Sequence, residues 1–405
     1  MPQPTSAHGL STARLARIDR HFQSRYVDAG RLPCAVTLVA RRGEIAHHSA
    51  LGFMDVERQL PVRDDTIFRI YSMTKPLTSI AFMMLVEEGL VALDEPVHRF
   101  IPQWRELGVY EAGFLETFRT RRTARPMRVI DLLRHTSGLT YDFQQRTNLD
   151  AAYRKHQLGQ VGGPVPLDAM IDGLARMPLE FSPGDAWNYS VSTDVLGYLV
   201  GKISGQPFEQ FLHERILTPL GMHDTDFHVP EGKASRLAAC YRFSKDAPLQ
   251  LVDDPQTSSY LRAPAFISGG GGLVSTMNDY FRFCRMLLNG GALDGVRIIS
   301  PKTLELMTAN HLPDGKDLTQ LSISLFSEAT YAGVGFGLGF SVTLDAARTL
   351  LPGTAGDFSW GGMASTYFWV DPREELIVIF MTQLMPSATY PLRRELRTLV
   401  YSAFE

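Results

Sequence analysis

The chain has 405 residues, 44% of them hydrophobic, and 40 basic against 43 acidic side chains leave a formal charge of -3. That composition suits a soluble globular protein with a large core, and the balanced charge excludes the basic field that nucleic acid or an anionic membrane demands. A small, roughly neutral substrate fits better.

No apolar stretch near the N-terminus is long enough for a signal-peptide core, and no later segment nears the roughly 18 apolar residues of a membrane span. A cytoplasmic location is therefore expected. Cys34, Cys240 and Cys284 are widely separated and odd in number, so they read as buried free thiols.

In chain order, Leu15, Ile18 and Phe22 recur at helical spacing behind Ser11, a candidate N-cap, and Gly30 follows as a stop. A hairpin comes next, with arms Cys34 to Ala40 and Glu44 to Leu51 about the Arg41-Arg42-Gly43 turn. Phe68 to Tyr71 ends a further short extended segment. Helical runs are expected over Leu77 to Glu88, Val129 to Leu133, Leu167 to Met177, Thr193 to Ile203 and Phe208 to Ile216. Near the C-terminus, Thr366 to Val370 and Leu376 to Thr382 flank the Asp371-Pro372-Arg373 turn, and Leu392, Leu396 and Val400 mark a closing amphipathic helix.

Both chain ends thus supply strands and a helix. The simplest assembly is an α+β fold, one antiparallel sheet made from the two ends and flanked by the terminal helices. As a division of a single unit spanning 10–405, the α/β part takes about 10–70 plus 270–405. A mainly helical insertion takes about 71–269, with the active site in the cleft between.

Chemistry concentrates in three segments. In Ser72-Met73-Thr74-Lys75 a strand-like stretch ends at Tyr71 and a helix begins at once, so Ser72 sits at a helix N-terminus where developing negative charge is favoured. Lys75, three residues on, shares its helix face. A serine hydroxyl is inert at neutral pH unless an adjacent base takes its proton, and a desolvated lysine amine is such a base. The second segment is Pro183-Gly184-Asp185-Ala186-Trp187-Asn188-Tyr189-Ser190, which places Tyr189 on a loop before a helix that Ser192 or Thr193 can cap. The third is Trp360-Gly361-Gly362-Met363, where two glycines let a backbone approach another group closely.

In this order and span, the three segments resemble the serine β-lactamase and penicillin-binding-protein superfamily. The resemblance extends to Leu132-Leu133-Arg134-His135-Thr136-Ser137-Gly138-Leu139, Pro219-Leu220-Gly221-Met222 and Ser268-Gly269-Gly270-Gly271-Gly272-Leu273. Class C β-lactamases carry Tyr-x-Asn and Lys-Thr-Gly, whereas Val191 and Trp360 stand at two of those places. The departures match the family VIII carboxylesterases, in which Trp-Gly-Gly replaces Lys-Thr-Gly.

The resemblance implies Ser72 as nucleophile, Lys75 as its activator, and Tyr189 as a second proton-transfer group, a phenolate held by Lys75. It implies an oxyanion hole from the Ser72 and Met363 backbone N–H groups. Trp360, Gly361, Gly362, Tyr141 and Val191 would then border the substrate, a short to medium acyl ester. No cofactor or metal is implied, and oligomeric state is left open.

Three competitors use the same scaffold: a β-lactamase or D,D-peptidase, an acyltransferase with an alcohol as acceptor, and a non-catalytic sensor. No Gly-x-Ser-x-Gly pentapeptide or His-Glu-x-x-His pair occurs. His135 reads as structural, and the glycine run as close packing behind the cleft.

Overall fold

The computed structural model describes residues 6–115, 117–323 and 331–405. Helix α1 (Thr12–Phe22) buries Leu15, Ile18 and Phe22 as its spacing predicts, and continues into a π-helical turn, Gln23–Val27. Ser11 occupies the N-cap but its side chain makes no capping bond. Strands β1 (Cys34–Arg41) and β2 (Glu44–Asp55) form the expected hairpin, with Arg42 and Gly43 both at positive φ in the turn.

Strand β3 (Leu60–Pro61) follows, and the rest of the main sheet comes from the C-terminal third: β4 (Val334–Phe336), β5 (Ser341–Thr343), β6 (Phe358–Gly361), β7 (Tyr367–Asp371) and β8 (Leu376–Met381). The eight strands run in the order β4-β5-β6-β7-β8-β1-β2-β3, all antiparallel. The fold is α+β, as expected from the two chain ends.

Every residue of β1 is buried because both sheet faces are covered. Cys34, Val36, Leu38 and Ala40 face the larger core, while Ala35 and Val39 face α1 and the closing helix. That last helix carries Leu392, Leu396 and Val400 on its buried stripe, each contributing roughly 1.5–3 kcal/mol on leaving water.

The larger core is organised around α2 (Thr74–Glu87), whose residues from Thr74 to Leu85 are all buried. Four further helices complete this part, α3 (Val129–Leu133), α4 (Leu167–Leu174), α5 (Ser192–Ser204) and α6 (Phe208–Leu212): α5 and α6 pack on α2, and α3 and α4 pack on α5. One further expectation is corrected. The α5 N-cap is Val191, and Ser192 turns its hydroxyl to Ser137 and Ser190 rather than to the helix end. Phe68–Arg69 pairs with Val274–Ser275, apart from the main sheet. The three cysteines are free and buried. Among the described residues, no helix is long and apolar enough to cross a membrane.

Candidate active site

The Ser72 segment is fastened on both sides before it turns. Arg69, fully buried, donates from Nε to Asp253 Oδ2 at 2.6 Å, from Nη1 to the Ala238 carbonyl at 2.5 Å and from Nη2 to Ser258 Oγ at 3.0 Å. Ile70 N–H donates to the Leu273 carbonyl, and Tyr71 adopts φ +42°, a left-handed conformation costly for a side chain of this size. The chain then enters a 3-10 turn, Tyr71–Met73, and passes directly into α2. Ser72 is thereby lifted to the helix entrance, as its sequence context predicts.

Arg69 carries much of this anchoring, so Arg69→Met should lower unfolding free energy by roughly 1–3 kcal/mol, because the buried Ala238 carbonyl and Ser258 hydroxyl lose their donor and the partly exposed Asp253 loses its charged partner. Urea unfolding measures it. A loss below about 1 kcal/mol would show that the elbow does not depend on this network.

Around Ser72 Oγ two groups converge. Lys75 Nζ donates to it at 3.3 Å and to the Gly270 carbonyl at 2.6 Å, and the Tyr189 hydroxyl donates to it at 2.5 Å. Lys75 is 2% exposed. Burial pulls its amine down to about 7, with the Asp194 carboxylate acting in the opposite direction. Near neutrality a large share of Lys75 is the free base.

Tyr189 behaves in the opposite way. Its phenol is pushed well above the ordinary tyrosine range by burial, against the smaller effects of Ser72 and Trp360. Lys75 Nζ lies over the Tyr189 ring, 4.3 Å from its centroid. Burial therefore favours the neutral phenol, its hydroxyl donating to Ser72 Oγ, over the expected phenolate held by Lys75.

Other residues are placed as follows. Trp360, on β6, sets its ring 5.5 Å from that of Tyr189 and 5.3 Å from that of Phe336. Tyr141 is buried, stacked on Phe143 at 4.7 Å and beside Tyr189 at 5.3 Å. A Cβ on Gly361 would lie 2.3 Å from Arg393 Nη2, and one on Gly362 would lie 2.2 Å from Thr366 Oγ1 and 2.5 Å from the Ile70 carbonyl oxygen. Only glycine lets the end of β6 press against the residue two before Ser72.

Met363 follows at the surface, and neither its backbone N–H nor that of Ser72 donates to another backbone group among the described residues. Val191 does not join them. It has no exposed surface and directs its side chain at Gly159, so packing and not substrate contact occupies it.

The glycine run does more than pack. A Cβ on Gly270 would lie 2.5 Å from Asp194 Oδ2, and the Gly270 carbonyl receives Lys75. His135 is buried among Trp187, Tyr189 and Phe336, and burial pulls its imidazole well below the ordinary range, so it is a neutral packing residue. A cleft of about 480 Å³ opens between residues 161–164 and 257–266, walled by Val161, Phe227, Tyr260, Phe266 and Gly272. Gly271 stands between Val161 and the backbone of Tyr71, which puts one wall of the cleft next to the Ser72 segment.

Asp194 was not singled out by sequence reasoning. An acidic residue in a helix's first turn is ordinarily a solvated dipole partner. Only its flanking apolar neighbours Val195 and Leu196 hinted at burial.

An α+β fold with a serine at a helix entrance, flanked by a lysine and a tyrosine, defines a serine hydrolase of the β-lactamase and penicillin-binding-protein superfamily. The chain belongs to the beta-lactamase family, whose sequence model matches residues 18–402. An uncharacterized protein of Mycobacterium tuberculosis is 39% identical over 362 residues, covering 89% of this chain and 88% of its own. Esterase EstB of Burkholderia gladioli is 31% identical over 421 residues, 98% of each chain. The solved structure of EstCE1, described as a hydrolase with promiscuous acyltransferase activity, superposes with a TM-score of 0.79 at 26% identity, covering 96% of this chain and 99% of its own.

Proposed function

We propose that the protein is a serine carboxylesterase of the family VIII type, acting on short to medium acyl esters through an acyl-Ser72 intermediate. The observation that carries the reading is the convergence of Lys75 Nζ and the Tyr189 hydroxyl on Ser72 Oγ. Lys75, free base near neutrality, accepts the Ser72 proton as Oγ attacks the ester carbonyl. Tyr189 hands its own proton to the departing alkoxide and regains one through Lys75. The Ser72 and Met363 N–H groups receive the oxyanion, each donor contributing roughly 3 kcal/mol. Water then repeats the cycle on the acyl-enzyme.

Trp360 supplies an apolar wall where a β-lactam-hydrolysing site would hold a cation for the substrate carboxylate. A second reading, transfer of the acyl group to an alcohol, is supported by the description of EstCE1 and uses the same intermediate.

The test is intact-protein mass spectrometry after an organophosphonate, comparing the wild type with Ser72→Ala, beside turnover of p-nitrophenyl butyrate and nitrocefin. One adduct lost in the variant, with ester turnover at least 100-fold above nitrocefin turnover (about 2.7 kcal/mol of discrimination), is expected. An adduct retained in the variant moves the nucleophile elsewhere, and dominant nitrocefin turnover replaces the esterase reading with a β-lactamase.

A further inference from the structure

Asp194, on the first turn of α5, is fully buried. Its Oδ1 accepts from Ser268 Oγ at 2.5 Å and from Gly270 N–H at 2.9 Å, and the Tyr141 hydroxyl is turned toward the same carboxylate. Burial raises this carboxyl above the ordinary aspartate range, against the opposing pull of Lys75, Ser268 and Gly270 N–H, and three donors aimed at one carboxyl group fit its ionised form, which only accepts. The carbonyl of the same Gly270 receives Lys75 Nζ. One glycine therefore holds the carboxylate on its N–H and the lysine on its C=O, and any larger residue there would collide with Asp194.

Resting on the acyl-Ser72 reading, we propose that Asp194 is a positioning residue. Through Gly270 it fixes Lys75 beside Ser72 and stabilises the ammonium formed when Lys75 takes the Ser72 proton. In that step the Oγ–H bond breaks, an N–H bond forms on Nζ, and Oγ bonds to the ester carbonyl carbon. A buried cation formed mid-reaction needs a fixed anion, as an imidazolium does in a serine-histidine-aspartate triad. The remaining titratable groups facing Lys75 supply none. Tyr189 and Tyr141 are phenols pushed up by burial, and His135 is neutral. Asp194 is the anion acting on Lys75 among the described residues.

The experiment is the pH profile of kcat/KM for p-nitrophenyl butyrate in wild type, Asp194→Asn and Ser268→Ala, with urea unfolding of each and the Ser72 phosphonate adduct as reference. Without the anion the ammonium loses its support, so the acid limb of Asp194→Asn should move down by about one pH unit while KM stays near the wild-type value. Its plateau should fall about 10–100-fold. Ser268→Ala removes one donor and leaves the carboxylate in place, so it should show both changes several-fold smaller. It decides the matter if Asp194→Asn does not fold.

A limb and plateau unchanged in the variants, beside a normal wild-type adduct, overturn the role of Asp194 alone, whatever the variants do to stability. Absence of a Ser72 adduct in the wild type overturns the esterase reading and this inference with it.

Discussion

Ser72→Ala should lower kcat/KM for p-nitrophenyl butyrate by about 10⁵–10⁶-fold while leaving the fold intact. The size follows from the chemistry: without Oγ there is no covalent intermediate, and what remains is the oxyanion site acting on a bound ester. The fold survives because the oxygen holds up little else. Lys75 retains the Gly270 carbonyl, and losing the contacts at 3.3 and 2.5 Å costs about 1 kcal/mol. Circular dichroism should match the wild type and urea unfolding should show a loss of about 1 kcal/mol, and turnover within about 100-fold of the wild type would exclude Ser72 as nucleophile.

Lys75→Met should reduce kcat/KM by about 10³–10⁴-fold, because methionine preserves length and burial but has no base. The accompanying change is in the pH profile. The wild type, with its amine pulled down to about 7 by burial, is active as the free base, so activity falls as pH drops through about 7. In Lys75→Met that limb should vanish.

Stability should move the other way. Between about pH 7 and the ordinary lysine range the unfolded chain binds the proton that the folded chain has released, so wild-type stability rises with pH across that window. At pH 7 keeping this amine buried costs on the order of 4 kcal/mol. Lys75→Met removes the cost and the slope together, so its urea midpoint at pH 7 should rise. A variant less stable than the wild type, or one that keeps the acid limb, would contradict a desolvated lysine base. The site thus trades stability for reactivity.

What was legible in the chain follows one pattern. Leu392, Leu396 and Val400 declare their helix because spacing by four puts them on one face, and Arg42-Gly43 declares its turn because positive φ suits glycine. The hairpin of Val109–Phe114 and Thr117–Arg121 was not foreseen, since its mostly exposed strands have no apolar alternation to announce them. Val191 followed the family pattern by position, yet its backbone turns the side chain into Gly159.

From sequence alone came what local spacing and residue chemistry decide: the α+β plan, the serine at a helix entrance, the lysine one turn further, and the tyrosine loop. Tertiary structure decided the protonation states. A carboxyl, an amine and a phenol each have one ordinary affinity for protons in water. Burial lowers the Lys75 amine and raises the Tyr189 phenol and the Asp194 carboxyl, while partners from distant parts of the chain, Lys75, Ser268 and Gly270 N–H, pull Asp194 back toward its ionised form. Which groups share that desolvated space depends on how α2, α5 and the glycine run pack together, and no local pattern encodes that.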